Sequence, residues 1–353
     1  MPSRMEESIP LFPDDVPTAD IYMVDFDRLS AGDKEEARKV FDASRGYGFF
    51  YLSNTHIDFN FMFDVANETF KLPLDEKMKY EMGNTGRYFG YKMSGSNYVD
   101  NKGTPDQSEF YNVSKDDVMR NGQYKDDPLE HPEIIKRRRG ELEEFMAQSH
   151  RVVLVVLRVL GEQLGLGPDV LPDLHKIDRV GGDQARVTHA PPVSADTITL
   201  GEHTDFGSVT VLFNQLGGLQ VINPDSYEWK YVKPQPHCAI INLGDALVKL
   251  VGDRLYSGVH RVVGPPGEQA QSPRHSVVYF ARPNGHIKLK SLLDGDDGED
   301  AMTADDWIAQ RAKLRRTANF KDDTSFHASR GTEHLKNRDK PKLDKPAREV
   351  EAV

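Results

Sequence analysis

The spacing of apolar positions along the chain changes character twice. In the first stretch, DIYMVDFDRLS predicts a short strand holding Met23, Val24 and Phe26. AGDKEEARKVFDASRGYG then predicts a helix ended at Gly46 or Gly48. FFYLSN reads as a buried strand, and DFNFMFDVANETFKLPLDEKMKY carries helical spacing interrupted at Pro73, hence two helices. Residues 1 to 18 read as an arm or tail ahead of this module. Residues 83 to 130 are rich in Gly, Asn, Asp and Tyr with weak periodicity, which predicts long loops of the kind that carry binding function. From Glu133 to about Leu164 runs the longest helical pattern. Its VVLVVLRVL segment is apolar on nearly every side, as in a helix buried along the back of a sheet.

After Gly165 the texture becomes short alternating runs separated by turns: ARVTHAP, TITLGEHT, SVTVLFN, GLQVIN, WKYVKP, CAIINL, GVHRVVG, HSVVYFAR and IKLKSL. Many short strands at this spacing predict a sandwich or barrel, and a jelly roll fits the count. The predicted fold class is mainly β with packed helices, a double-stranded β-helix (jelly-roll) core behind a helix-rich N-terminal module. The expected divisions are 1–130 for the N-terminal module and substrate loops, 131–165 for the scaffold helix, 166–293 for the core, and 294–353 for a helix (DDWIAQRAKLRRT) and a charged tail too poor in apolar residues to order itself.

Composition narrows the function classes. The chain has 353 residues, 38% hydrophobic and 29% charged, with a formal net charge of -11. A sizeable core is expected, and the negative charge gives no general attraction for nucleic acid or an anionic membrane. No protein partner is implied. The one cysteine, Cys238, excludes an intramolecular disulfide and a thiolate zinc cluster, and is expected to be a buried structural thiol. MPSRMEESIPLFPDD lacks the apolar core of a signal peptide, and no run of about 18 apolar residues occurs, so a cytoplasmic location is the default expectation.

The candidate chemistry begins in LGEHTDFGSVTVL. On an extended strand His203 and Asp205 would project to one face and could share an ion. The same spacing in His56-Ile57-Asp58 and His131-Pro132-Glu133 means that the pair alone decides nothing. His260, in SGVHRVVG, supplies a third ligand, and two histidines with one carboxylate form the facial triad that leaves adjacent positions open on ferrous iron. Further on, Arg274 and Ser276 in SPRHSVVYF again share a strand face, where a guanidinium fork and a hydroxyl can meet one carboxylate. Zinc would also accept the triad, but a zinc hydrolase leaves the Arg274/Ser276 pair without a role.

The order H-T-D, N-L-G-D, H-R-V, R-H-S over residues 185 to 285, with GYGFFYLSNTHI and FKLPLDEKMK upstream, resembles the 2-oxoglutarate and Fe(II)-dependent oxygenases of the isopenicillin N synthase-like branch. The resemblance covers the chain from about residue 20 to 285 and implies Fe(II), 2-oxoglutarate and O2. By it, the iron ligands fall on His203, Asp205 and His260, and the co-substrate contacts on Arg274 and Ser276. Asn242, Gly244 and Asp245 are expected to shape a turn, and His275 and His286 to be exposed or hydrogen-bonded strand residues. Where the family usually carries N-x-Y, ARVTHAPP has Thr188, which can still hydrogen-bond toward the co-substrate, and Ala190, which cannot.

Three functions are therefore open to this chain: the oxygenase, acting by hydroxylation, desaturation or ring rearrangement on a small molecule of the secondary-metabolite kind; an oxoglutarate-independent iron oxidase; and a non-catalytic small-molecule binding protein. Arg186 shares the strand face of Thr188 and Ala190, and with Phe206 it is the expected substrate contact. An inward arginine needs a partner. That partner is either a carboxylate, phenolate or enolate on a compact ring substrate, or a neighbouring acid in an internal salt bridge.

Overall fold

The computed structural model describes residues 9–83, 88–295, 300–319 and 323–331. The N-terminal module opens with β1 (Met23–Asp25), α1 (Phe26–Ser30), α2 (Lys34–Arg45) and β2 (Phe49–Ser53). Asp25 and Asp33 cap the two helices, their carboxylates accepting the free first-turn N–H groups. Next come α3 (Asn60–Lys71) and α4 (Leu74–Met78), separated at Pro73 as the pattern predicts. The region read as loops also contains β3 (Gly90–Lys92), β4 (Glu109–Ser114) and α5 (Lys115–Val118). The long helix is two helices, α6 (Glu133–Arg137) and α7 (Arg139–Gln163), broken where Arg138 leaves helical geometry at φ -95, ψ 11.

After α8 (Val170–Asp173) the core follows as β5 (Gln184–Ala190), β6 (Ile198–His203), β7 (Val209–Asn214), β8 (Leu219–Ile222), β9 (Trp229–Tyr231), β10 (Ala239–Leu243), α9 (Asp245–Leu250), β11 (His260–Val263) and β12 (Arg274–Ala281). The C-terminal segment adds α10 (Ala304–Leu314) and α11 (Asp323–Arg330). IKLKSL forms no strand. Its Leu289 is instead buried against Ala246, Leu250 and Ala304, so the segment serves packing rather than a ladder. The charged tail expected beyond Gly331 and the first eight residues lie outside the described residues.

Among the described residues the strands form a major sheet ordered β1-β2-β10-β7-β12-β5-β4-β3 and a minor sheet ordered β6-β11-β8-β9. These are the two faces of a jelly roll. The N-terminal module extends the major sheet at both ends, through β1 and β2 beside β10 and through β4 and β3 beside β5. Helix α7 lies on the back of the major sheet, with Val152, Val153, Val156, Leu157 and Leu160 fully buried. Because the back is sealed by this apolar helix, polar side chains on strand residues of opposite parity gather between the sheets. Cys238 is half-buried, not buried, because it stands at the start of β10 on the rim.

Candidate metal centre and active site

The mouth of the jelly roll is built by the register of the minor sheet. His203 ends β6, His260 begins β11, and the two face each other across the ladder. Their rings lie 4.2 Å apart between centroids. His203 Nδ1 is 2.8 Å from the Gly201 carbonyl and His260 Nδ1 is 3.0 Å from the Gly258 carbonyl. A carbonyl oxygen only accepts, so each Nδ1 carries the proton and each Nε2 presents a lone pair. Burial first, then the neighbouring His260, hold the His203 pKa well below its ordinary value, which keeps the ring neutral and able to ligate.

Asp205 reaches the same point by a different route from the one the alternation predicts. Strand β6 stops at His203, and Asp205 stands in the following loop. Its place is set by bonds to the N-L-G-D segment, which does more than shape a turn. The Asp245 N–H donates to the Asp205 carbonyl at 2.8 Å, and Asn242 Nδ2 and Thr210 Oγ1 donate to Oδ2 at 2.7 and 2.6 Å. Gly244 is required here, since a Cβ would stand 2.4 Å from the Gly207 carbonyl oxygen. Burial raises the Asp205 carboxyl, but His260, Asn242 and Thr210 outweigh it and hold the group below its ordinary value, as a charged carboxylate. Oδ1 remains 3.9 Å from His260 Nε2, and the ligand atoms of His203, Asp205 and His260 all lie within 4.8 Å of one another. Two neutral imidazole nitrogens and one carboxylate converging this closely fit a divalent transition metal with open positions.

The cavity beside the triad is lined by Phe49, Leu212, Leu219, Val262 and Val278, with Thr188, Arg274 and Ser276. Arg274 is 4% exposed. Its Nε donates to the Gly217 carbonyl at 2.6 Å and its Nη1 to Ser276 Oγ at 2.7 Å, so the two residues of the R-x-S pair meet on one strand face. Burial alone pushes its pKa down to about 10, and among the described residues no carboxylate pairs with it. Thr188 lies opposite Ser276 in the β5/β12 ladder, and its Oγ1 accepts from the Ser276 N–H at 3.1 Å. His275 is half-buried on the other face of β12, with Nδ1 3.3 Å from the Thr188 carbonyl, and His286 is an exposed turn residue rather than a strand one.

A second cavity shares Arg186, Asp205, Phe110, Leu200 and Phe280 with the first and adds Phe206, Arg282, Ile308 and Arg315. Arg186 has no acid partner among the described residues, so the internal salt bridge is not formed. Its guanidinium carbon sits 4.0 Å from the Phe110 ring centroid and 4.7 Å from that of Phe280, and Nε donates to Asn112 Oδ1 at 2.7 Å. Phe206 lines the same cavity under Arg315, whose guanidinium carbon is 4.1 Å from its ring centroid. Sequence reasoning missed Asn242 and Thr210 as supports of Asp205, and Phe110, Asn112, Arg282 and Arg315 as cavity walls. The alternation in EFYNVS, which puts Phe110 and Asn112 on one face, was the available signal for that strand.

The other two H-x-D/E sequences are kept apart from this site. His56 is exposed and paired with Asp27 at 2.9 Å, and His131 is buried between Asp117 and Tyr111.

A jelly roll with a His-Asp-His cluster at its mouth and a buried arginine farther along one of its strands defines an Fe(II) oxygenase with an oxo-acid co-substrate. Comparison with known proteins agrees, and the chain belongs to the 2-oxoglutarate and Fe(II)-dependent oxygenases. Residues 182–283 match the 2OG-Fe(II) oxygenase superfamily, and residues 21–136 match the N-terminal domain described for the non-haem dioxygenase in morphine synthesis. The 2-oxoglutarate-dependent dioxygenase frbH of Dothideomycetidae sp. is 30% identical over 309 residues, spanning 85% of this chain and 92% of that protein. A putative 2OG-Fe(II) oxygenase of Caulobacter crescentus superposes with a TM-score of 0.70 at 26% identity, over 83% of this chain and 98% of that one. A full-length Neurospora crassa protein, solved in complex with alpha-KG and thymine, gives a TM-score of 0.66 at 25% identity, over 83% of this chain and 96% of that one. The protein is thus an oxidoreductase that uses Fe(II), 2-oxoglutarate and O2 on a small molecule. Among the described residues no helix is long and apolar enough to cross a membrane.

Proposed function

We propose that His203, Asp205 and His260 hold Fe(II), that Arg274 and Ser276 bind the far carboxylate of 2-oxoglutarate, with Thr188 beside them, and that Arg186 and Phe206 face the prime substrate. One observation carries this reading: a buried guanidinium, Arg274, points with Ser276 into the cavity that the triad lines and has no anion of its own among the described residues. A charge in that setting calls for a carboxylate ligand. When bound, Fe(II) with 2-oxoglutarate and O2 supplies the oxidising chemistry, and the oxo acid leaves as succinate and carbon dioxide.

The rest is done by the chain. The Gly201 and Gly258 carbonyls fix the imidazole tautomers, and Asn242 and Thr210 occupy Asp205 Oδ2 so that Oδ1 is the free ligand atom. Leu212, Leu219, Val262 and Val278 exclude water around the co-substrate. Phe110, Phe206 and Phe280 enclose the place where a substrate C–H would be held next to Asp205. The reaction is hydroxylation, desaturation or ring rearrangement of a small molecule of the secondary-metabolite kind, a reading supported by the morphine-synthesis description of the matched N-terminal domain. Oxygen uptake and succinate formation, measured with and without 2-oxoglutarate, test it. Both should require the oxo acid, and uptake that proceeds equally without it would establish the iron oxidase instead.

A further inference from the structure

The second cavity holds an excess of positive charge that the oxygenase reaction itself does not use. Lys92, Arg186, Arg282, Arg315 and Arg316 line it, and its one lining carboxylate is the Asp205 assigned to the metal. Two of the cations are compensated: Lys92 pairs with Asp106 and Arg316 with Glu81. Among the described residues Arg186, Arg282 and Arg315 form no ion pair with a carboxylate.

Two of the three are also short of hydrogen bonds. Arg186 spends Nε on Asn112. Arg282 donates through Nη1 to the Gly182 carbonyl, yet its Nε is buried without a partner, and the whole residue is buried. Arg315 donates through Nη2 to the Thr204 carbonyl at 3.2 Å, and its Nε is likewise buried without a partner. An unpaired buried donor on a charged group is costly, and two such cations, with Arg186 uncompensated beside them, ask for an acceptor.

The surroundings repeat the demand. Burial most, then Arg330, Arg186 and Arg311, destabilise the charge on Arg315, and Asp205 is the acid that offsets them. Arg186 is destabilised by burial and then by Arg282, again with Asp205 opposing. Arg282 is better served, with Asp183 and Asp305 near it as well as Asp205. Once Asp205 ligates a metal, its negative charge is committed there.

The geometry also selects the kind of anion. Arg186 lies over the rings of Phe110 and Phe280, and Arg315 over that of Phe206, so both cations rest on aromatic rings. The planar fork of guanidinium donors matches a planar carboxylate. The same rings offer a flat apolar bed for the body of the ligand.

We propose that the prime substrate is a small organic acid whose carboxylate is bound by Arg315 and Arg186, with Arg282 beside them, while its apolar body lies among Phe110, Phe206 and Phe280. This rests on the oxygenase reading and names the substrate class for the same site. Arg315 and Arg282 are then substrate-binding residues supplied by different segments of the chain, one just past α10 and one just past β12.

The test uses the full chain loaded with Fe(II) and saturating 2-oxoglutarate without oxygen, so that the Arg274 side is filled. Benzoate, phenylacetate, cinnamate and cyclohexanecarboxylate are titrated by calorimetry beside their primary amides and beside phenyl phosphate. At least one acid should bind about tenfold or more tightly than its amide, the scale of a charge-assisted hydrogen bond. That preference should vanish in Arg315→Gln and shrink in Arg282→Gln, and Arg315→Lys should restore part of it. Acids that bind no better than their amides, a preference that survives Arg315→Gln, or tighter binding of phenyl phosphate would each overturn the proposal. Stabilisation of the metal-loaded protein by 2-oxoglutarate is recorded on the same samples. If it is lost, the oxygenase site assignment fails, and if it persists while acids show no preference, the substrate inference alone fails.

Discussion

The two cavities that meet at Asp205 are made in different ways. Around the triad, the proposed functional residues other than Asp205 sit on paired strands: His260 opposite His203, Ser276 opposite Thr188, Arg274 opposite Ala190. Their positions follow from ladder register, which backbone hydrogen bonds and an apolar core hold regardless of what the side chains do. The second cavity draws instead on three separate stretches: Met82 to Asn112 of the N-terminal module, Arg186 to Arg282 of the core, and Ile308 to Arg316 of the C-terminal segment. Its shape depends on how those pieces pack. The first cavity is mostly apolar around Arg274 and the shared Arg186, whereas the second crowds several cations together. On the proposed reading, the contrast teaches that the oxidising chemistry and the choice of substrate rest on differently built parts of one molecule, which share Asp205 and Arg186.

If that division is right, damage to one side should spare the other, except at the triad. The largest effect is expected there: His203→Ala, Asp205→Ala and His260→Ala should each abolish turnover and weaken Fe(II) binding while far-UV circular dichroism stays near wild type. Asp205→Ala should lose the most metal affinity, since it leaves two neutral ligands around a dication. Turnover surviving in any of the three would mean that the metal is held elsewhere.

Next in size is the co-substrate side. Arg274→Lys replaces a fork by a point charge and should raise the 2-oxoglutarate concentration for half-maximal rate by roughly 10- to 100-fold, the equivalent of about 1–3 kcal/mol. The KM of the prime substrate should move little. An unchanged oxoglutarate dependence would remove Arg274 from this role and blur the division between the cavities.

On the support of the triad, Asn242→Ala should lower metal affinity by about tenfold, the usual scale for losing a hydrogen bond to a metal ligand. A metal titration reads it directly. Arg186→Gln is the crossing test, because Arg186 lines both cavities. It should raise the prime substrate's KM several-fold or uncouple succinate formation from product while oxoglutarate half-saturation stays near wild type; the reverse pattern would place Arg186 on the co-substrate side.

The smallest effect belongs to the frame under both cavities. His175 is fully buried, with Nε2 2.7 Å from Ser208 Oγ, and burial lowers its pKa from 6.5 to about 4. Between those values the unfolded chain binds the proton that the folded one refuses, so stability should fall as pH drops from about 6.5 toward 4. Denaturation midpoints for wild type and His175→Gln, compared at pH 7 and pH 4.5, should show a shallower loss in the variant.

Much of this could be read along the chain. Periodicity identified α2, the break at Pro73, the buried α7 and eight of the strands of the core, and the ordered motifs picked out His203, Asp205, His260, Arg274 and Ser276. The same reading failed at IKLKSL, where alternation reflects one buried leucine. It also failed at Arg138, where the periodic pattern runs on through a helix break, and at β4, whose strand is stabilised by lying against β5 rather than by its own composition.

The amino-acid sequence alone determined the class of fold and picked out the residues that cluster as His203, Asp205 and His260, because strand period and short-range spacing are local properties and the motif carries its chemistry in its residue types. Only the tertiary structure decided how Asp205 is held, through Asn242, Thr210 and Asp245, and which arginines line the second cavity. Nothing in the local sequence sets Arg282 and Arg315 apart. They stand out only when burial removes water from them, aromatic rings lie against them and no carboxylate among the described residues pairs with them, conditions that exist only after distant segments have packed together.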